Sequence, residues 1–224
     1  MGLNDEAAAL KQRFLEHTEP RTRWQIGVAM IETAALNPAG RALGVGDSAP
    51  DFERPDLRGH RVRLAGLLRD GPVVLCFYRG GWCPFCSLEL RHWQQWLERL
   101  HAAGAELVAI APEAADQAHE SAESQGLGFP VLTDANQEVG ERYGLVYELP
   151  AAARDVQQRL DAPLDRINAD GTWRLPVPAT FVVDQGGIIR WAYAEDDYSH
   201  RAEPSEVVEA VEGLQRHERS SMAL

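Results

Sequence analysis

The sequence predicts an α/β fold: a central mixed sheet flanked by helices, with an N-terminal helical extension. Three observations lead there. Residues 72–78 form an apolar run without alternation, as expected of a strand buried on both faces of a mostly parallel sheet. From there to about residue 143, strand-like and helix-like segments alternate, an order that packs helices onto a sheet. Before residue 38 the apolar residues follow helical spacing instead.

In the first helix, residues 5–17, Ala8, Leu10, Phe14 and Leu15 fall near one face; a second continues through residues 24–31 and ends before Asn37-Pro38. We expect residues 1–44 to be an extension whose apolar face caps the core, the alternative being a dimerisation arm. The main domain then runs over 45–224. It opens with a hairpin-like turn at Arg58-Gly59-His60, followed by the buried strand and a helix from about Pro84 to His101. Strands at 106–110 and 129–132 alternate with helices near 114–125 and 136–143. Residues 150–173, rich in Ala, Asp, Gln and Arg, read as an insertion. Gln185-Gly186-Gly187 joins two strands as a hairpin. A last helix near 204–217 presents Val207, Val208, Val211 and Leu214 on one face before a polar tail.

Composition narrows the function. With 34 acidic against 22 basic residues and a net charge of −12 over 224 residues, the chain lacks the clustered cations that hold nucleic acid or anionic membrane. The opening Met1-Gly2-Leu3-Asn4-Asp5-Glu6 has no positive or apolar secretory region, and no apolar run reaches the ~18 residues of a membrane span. The expectation is a soluble cytoplasmic protein.

Three cysteines are too few for a disulfide framework, but Cys83 and Cys86 form a C-x-x-C where the buried strand passes into a helix. Such a pair binds metal or carries out redox chemistry. A tetrahedral zinc site needs about four ligands, and the histidines at 17, 60, 92, 101, 119, 200 and 217 offer no paired spacing, which favours a redox dithiol and no metal. A cysteine in the first turn of a helix has its thiolate favoured by the aligned N–H groups. Gly80-Gly81 permit close approach, Arg79 can supply positive charge, and Trp82 can shield the thiols. Cys76, inside the strand, reads as core packing.

Four segments in order carry a family resemblance: Gly46-Asp47-Ser48-Ala49-Pro50-Asp51-Phe52, the strand-loop-helix from Val73 to Arg91, Phe129-Pro130-Val131-Leu132-Thr133-Asp134, and Pro178-Ala179-Thr180-Phe181-Val182-Val183-Asp184. Over residues 45 to 195 the chain resembles the alkyl hydroperoxide reductase and thiol-specific antioxidant (peroxiredoxin) family. The resemblance implies a thioredoxin-like fold and a thiol-dependent peroxidase without a cofactor. It places Cys86 at the peroxidatic position, Glu89 at the family's glutamate, Cys83 where a threonine stands and Arg79 where a proline stands. Cys86 would attack the peroxide and Cys83 would resolve the sulfenic acid as a disulfide. Arg79 would hold the thiolate and peroxide, and Glu89 would orient Arg79 or accept a proton. Tyr78, Trp82, Pro178 and Thr180 would contact substrate, with Pro178, where the family carries an arginine, expected to be cis. The implied partners are a hydroperoxide and a reductant, namely thioredoxin, glutaredoxin or a low-molecular-weight thiol, with a homodimer admitted by the family. Two other readings remain open: thiol–disulfide exchange with Cys83 as nucleophile, and a redox-sensing, partner-binding protein.

Overall fold

The computed structural model describes the backbone of residues 1–222 and the side chains of residues 1–216. The N-terminal segment forms α1 (Leu3–His17) and α2 (Pro20–Ala35). A small hairpin, β1 (Glu53–Pro55) with β2 (Arg61–Arg63), closes around the turn at Gly59 and leads into the short α3 (Leu64–Leu67). There follow β3 (Val73–Phe77), α4 (Pro84–Ala102), β4 (Glu106–Ala111), α5 (Ala115–Gln125), β5 (Val131–Thr133) and α6 (Glu138–Arg142). The expected insertion contains α7 (Ala151–Arg159) and α8 (Leu164–Ile167), and it is bracketed by β6 (Val146–Glu148) and β7 (Arg174–Pro176), which pair antiparallel. The hairpin of β8 (Ala179–Val183) and β9 (Ile189–Ala194) precedes α9 (Pro204–Met222).

The main sheet has the order β5-β4-β3-β8-β9, with β4 and β5 parallel to β3 and the β8–β9 side antiparallel, so it is mixed as expected. All five residues of β3 are buried because both faces are covered. Alternation sends Val74 and Cys76 into one apolar cluster with Leu3, Trp93, Val207 and Val211 of α1, α4 and α9. Val73, Leu75 and Phe77 enter the opposite cluster with Tyr143 and Phe181.

Pro84 occupies the first turn of α4, where its missing N–H costs nothing, and Cys83 is the N-cap. The start of α1 is held from far along the chain: the Glu203 carboxylate accepts from the N–H groups of Leu3 (2.9 Å) and Asn4 (2.7 Å). The helix α2 packs on α7 through Ile26, Ala29 and Val156.

Two expectations are corrected, and one pair of strands is added. The Val177–Pro178 bond is trans, since no cis peptide occurs among the described residues. Val177 N–H donates to Leu145 O (2.9 Å) and Ala179 pairs at once with Phe77, so the chain passes Pro178 extended, where trans is the favoured isomer. The strands β6 and β7 escaped the sequence reading because three residues cannot show a period. The last helix continues to Met222, through residues read as tail.

Candidate active site

The active loop is built by two glycines. Gly80 takes φ +142°, and a Cβ there would lie 2.3 Å from Trp82 Nε1, so only glycine lets the indole fold back. Gly81 N–H donates to Glu113 Oε2 (2.8 Å), Ser87 Oγ donates to Gly81 O (2.9 Å), and Cys83 N–H returns to Gly80 O (3.2 Å). The loop therefore delivers Cys83 at the mouth of α4 with Cys86 one turn inside, and both thiols are free and buried.

Each sulfur has its own arginine. The Arg79 guanidinium, only 4 % exposed, lies over the rings of Trp82 (4.9 Å) and Tyr198 (4.4 Å), and its Nη1 is 3.9 Å from Cys83 Sγ. Its Nε has no hydrogen-bond partner, and no carboxylate pairs with it among the described residues. Arg201, from the loop between β9 and α9, donates from Nε to Glu89 Oε2 (2.6 Å), from Nη1 to the carbonyls of Tyr198 and His200, and from Nη2 to Cys86 Sγ (3.5 Å). The second Glu89 oxygen accepts from Cys76 Sγ at 3.5 Å.

The two thiols are consequently unlike. Cys83 is held well below the usual thiol range, chiefly by a hydrogen bond from the Cys86 thiol working against burial, with the Arg79 and Arg201 charges adding to it. Cys86 is pushed well above that range by burial, by giving its hydrogen to Cys83 and by the neighbouring negative charge. Glu89 is raised by burial against the pull of Arg201, and Cys76 is raised by burial and the Glu89 charge. The pair thus favours negative charge on Cys83 and the proton on Cys86.

Glu89 does not orient Arg79: it faces Cys76 and Arg201 on the inner side of α4, whereas Arg79 lies under Trp82 and Tyr198. Among the residues expected at the substrate, Trp82 covers Arg79. Tyr78 is buried in the core cluster that also holds both active-loop cysteines, and its phenol is pushed up by burial. Thr180 sits opposite Cys76 in the β3–β8 register, within the sheet, and Pro178 is buried. A cavity of about 40 Å³ between α2 and α7 is lined by Ile26, Met30, Arg79, Tyr147, Gln157 and Tyr198. No group of three or more potential metal ligands, and no helix long and apolar enough to cross a membrane, occurs among the described residues.

The sequence model described as the AhpC/TSA family matches residues 45–192. The chain belongs to the AhpC/TSA family. It is an oxidoreductase of the peroxiredoxin type, with the thioredoxin-like fold that the resemblance implied. A Mycobacterium tuberculosis protein named as a peroxiredoxin is 31% identical over 160 residues, covering 71% of this chain and 86% of that protein. The thiol-disulfide oxidoreductase ResA of Geobacillus kaustophilus is 29% identical over 149 residues, 66% of this chain and 68% of that protein. Among solved structures, the peroxidoxin BcpB of M. tuberculosis superposes with a TM-score of 0.61 at 24% identity, covering 76% of this chain and 97% of that one.

Within this AhpC/TSA chain the sequence reading missed Arg201, Tyr198 and Glu113. Arg201 lies 115 positions from the sulfur it touches, and its loop reads as an acidic turn, Glu195-Asp196-Asp197. The one usable signal is a cation following that acidic run.

Proposed function

We propose that the chain reduces hydroperoxides through its Cys83–Cys86 dithiol, with Cys83 as the attacking sulfur. The observation that carries this reading is the unneutralised Arg79 beside Cys83, whose thiol is lowered while that of the neighbouring Cys86 is raised. The family spacing implies the reverse order; the distribution of charge supports this one.

The Cys83 thiolate attacks the terminal oxygen of ROOH, the O–O bond breaks, and the alkoxide takes up a proton and leaves as alcohol, or as water when R is hydrogen. Arg79, with an unused Nε–H, stabilises the negative charge that moves onto the leaving oxygen. The Cys86 sulfur then attacks the Cys83 sulfenic acid; the S–S bond forms and the sulfenic oxygen leaves as water with the Cys86 proton. Thioredoxin, glutaredoxin or a low-molecular-weight thiol returns the disulfide to the dithiol, in the cytoplasm.

The test is a sulfenic-acid trap with single-turnover peroxide consumption. Cys86→Ser should consume one equivalent of peroxide and be trapped as a Cys83 sulfenic acid, while Cys83→Ser should do neither. Trapping at Cys86 in Cys83→Ser would restore the order implied by the family. A second reading, disulfide reduction by the same Cys83 thiolate, is favoured by its place at the helix N-cap and by the similarity to ResA. Cysteine-dependent insulin reduction that outpaces peroxide turnover would select it.

A further inference from the structure

We propose that α2 pairs with α2 of a second copy of this chain, antiparallel about Gly27. One face of α2 is used inside the protein, where Ile26 and Ala29 are buried against Val156 of α7. At about 100° per residue, the face pointing the opposite way carries Trp24, Gly27, Val28, Ile31, Ala34 and Ala35, without a single charge. Trp24 is 71% exposed and Ile31 72%. A helix packed on one side only should be polar on the other, so this stripe has the character of an interface.

Gly27 adds a second observation. Glycine inside a helix costs about 1 kcal/mol relative to alanine. Nothing in the chain requires it, because a Cβ there would meet no atom within 4 Å. Close approach of another backbone would require it.

The flanking charges choose the partner and its direction. Arg21 and Glu32 are both exposed, three turns apart on the same flank of the stripe. In an antiparallel pair with its two-fold axis at Gly27, same-flank residues meet, so Arg21 of each copy faces Glu32 of the other while Trp24 lies beside Ile31 of the other. A parallel pair would bring like helix ends and like charges to the same level. The surface is thus complementary to itself. One helix per copy is a small interface, and each chain carries a net charge of −12, so the dimer forms reversibly.

Sedimentation velocity over a concentration series at physiological ionic strength tests this. Wild type should show a monomer–dimer equilibrium. Trp24→Glu should be monomeric with an unchanged circular-dichroism spectrum, and Gly27→Leu, on the exposed face, is the second disrupting variant should the first fail to fold. Glu32→Arg should weaken association several-fold, and Arg21→Glu combined with Glu32→Arg should restore it. A wild type that stays monomeric throughout, a dimer that survives the folded stripe variants, or a charge swap without recovery overturns the proposal.

Discussion

The two arginines of the site differ in the opposite sense from their distances. Arg201 comes nearer its sulfur, 3.5 Å to Cys86 against 3.9 Å from Arg79 to Cys83, yet the Cys86 thiol is raised and the Cys83 thiol is lowered. The difference lies first in burial and in the hydrogen that Cys86 gives to Cys83, and then in what else each cation meets. Arg201 is neutralised by Glu89 and by two carbonyls, whereas Arg79 has only aromatic faces around it. Proximity of a cation does not by itself activate a thiol; the hydrogen bond that Cys83 receives from Cys86 comes first, and the uncompensated charge of Arg79 adds to it.

Breaking the Glu89–Arg201 pair should have the largest effect. Glu89→Gln leaves a buried guanidinium without its counter-charge, which should cost about 3–5 kcal/mol in denaturant unfolding. In the folded fraction the freed charge should draw Cys86 downward, seen as a second alkylated cysteine at neutral pH. Unchanged stability would mean that the pair is not buried as described.

Removing the uncompensated cation comes next. Arg79→Met should lift Cys83 and slow its alkylation by iodoacetamide at neutral pH by roughly 10- to 100-fold, as expected on losing an opposite charge within a few ångströms. In wild type the alkylation rate should rise with pH and level off well below the usual thiol value of 9.0; in the variant the plateau should move up. The sign for stability follows. A thiol lowered in the folded state contributes fully above its unfolded value, and the contribution is lost as pH falls through the folded one. The stability gap between wild type and Cys83→Ser should therefore widen from acid toward alkaline pH.

The smallest effect sharpens the comparison from a distance. Asn4 of α1 accepts from Arg201 N–H (3.0 Å) and donates to Arg201 O (2.8 Å), so Asn4→Ala should cost about 1 kcal/mol of stability and loosen Arg201. Alkylation of Cys83 should barely change, since Arg79 stays in place. A large loss there would show that the two halves of the site are coupled.

How far the site could be read from sequence follows the same division. The Arg79 half lies within eight positions of Cys86, and C-x-x-C, Gly80-Gly81 and Trp82 announced it through local backbone chemistry. The sheet was legible because β3 is a pure apolar run and because Gly186-Gly187 marks the hairpin. The Arg201 half depends on a contact across 115 positions, which no local pattern encodes, and so Glu89 was assigned to the wrong arginine. Cys76 was read as packing alone, since only the folded register sets its thiol against Glu89.

The late position of Arg201 in the chain also has a consequence for biosynthesis. At about 5–20 residues per second, the ribosome exposes Arg201 several seconds after it exposes Glu89. Until then α4 can place Glu89 in the interior only as an unpaired acid, which disfavours closing the core around it. The nascent chain therefore completes its reactive centre last, when the segment that also anchors the start of α1 through Glu203 has emerged.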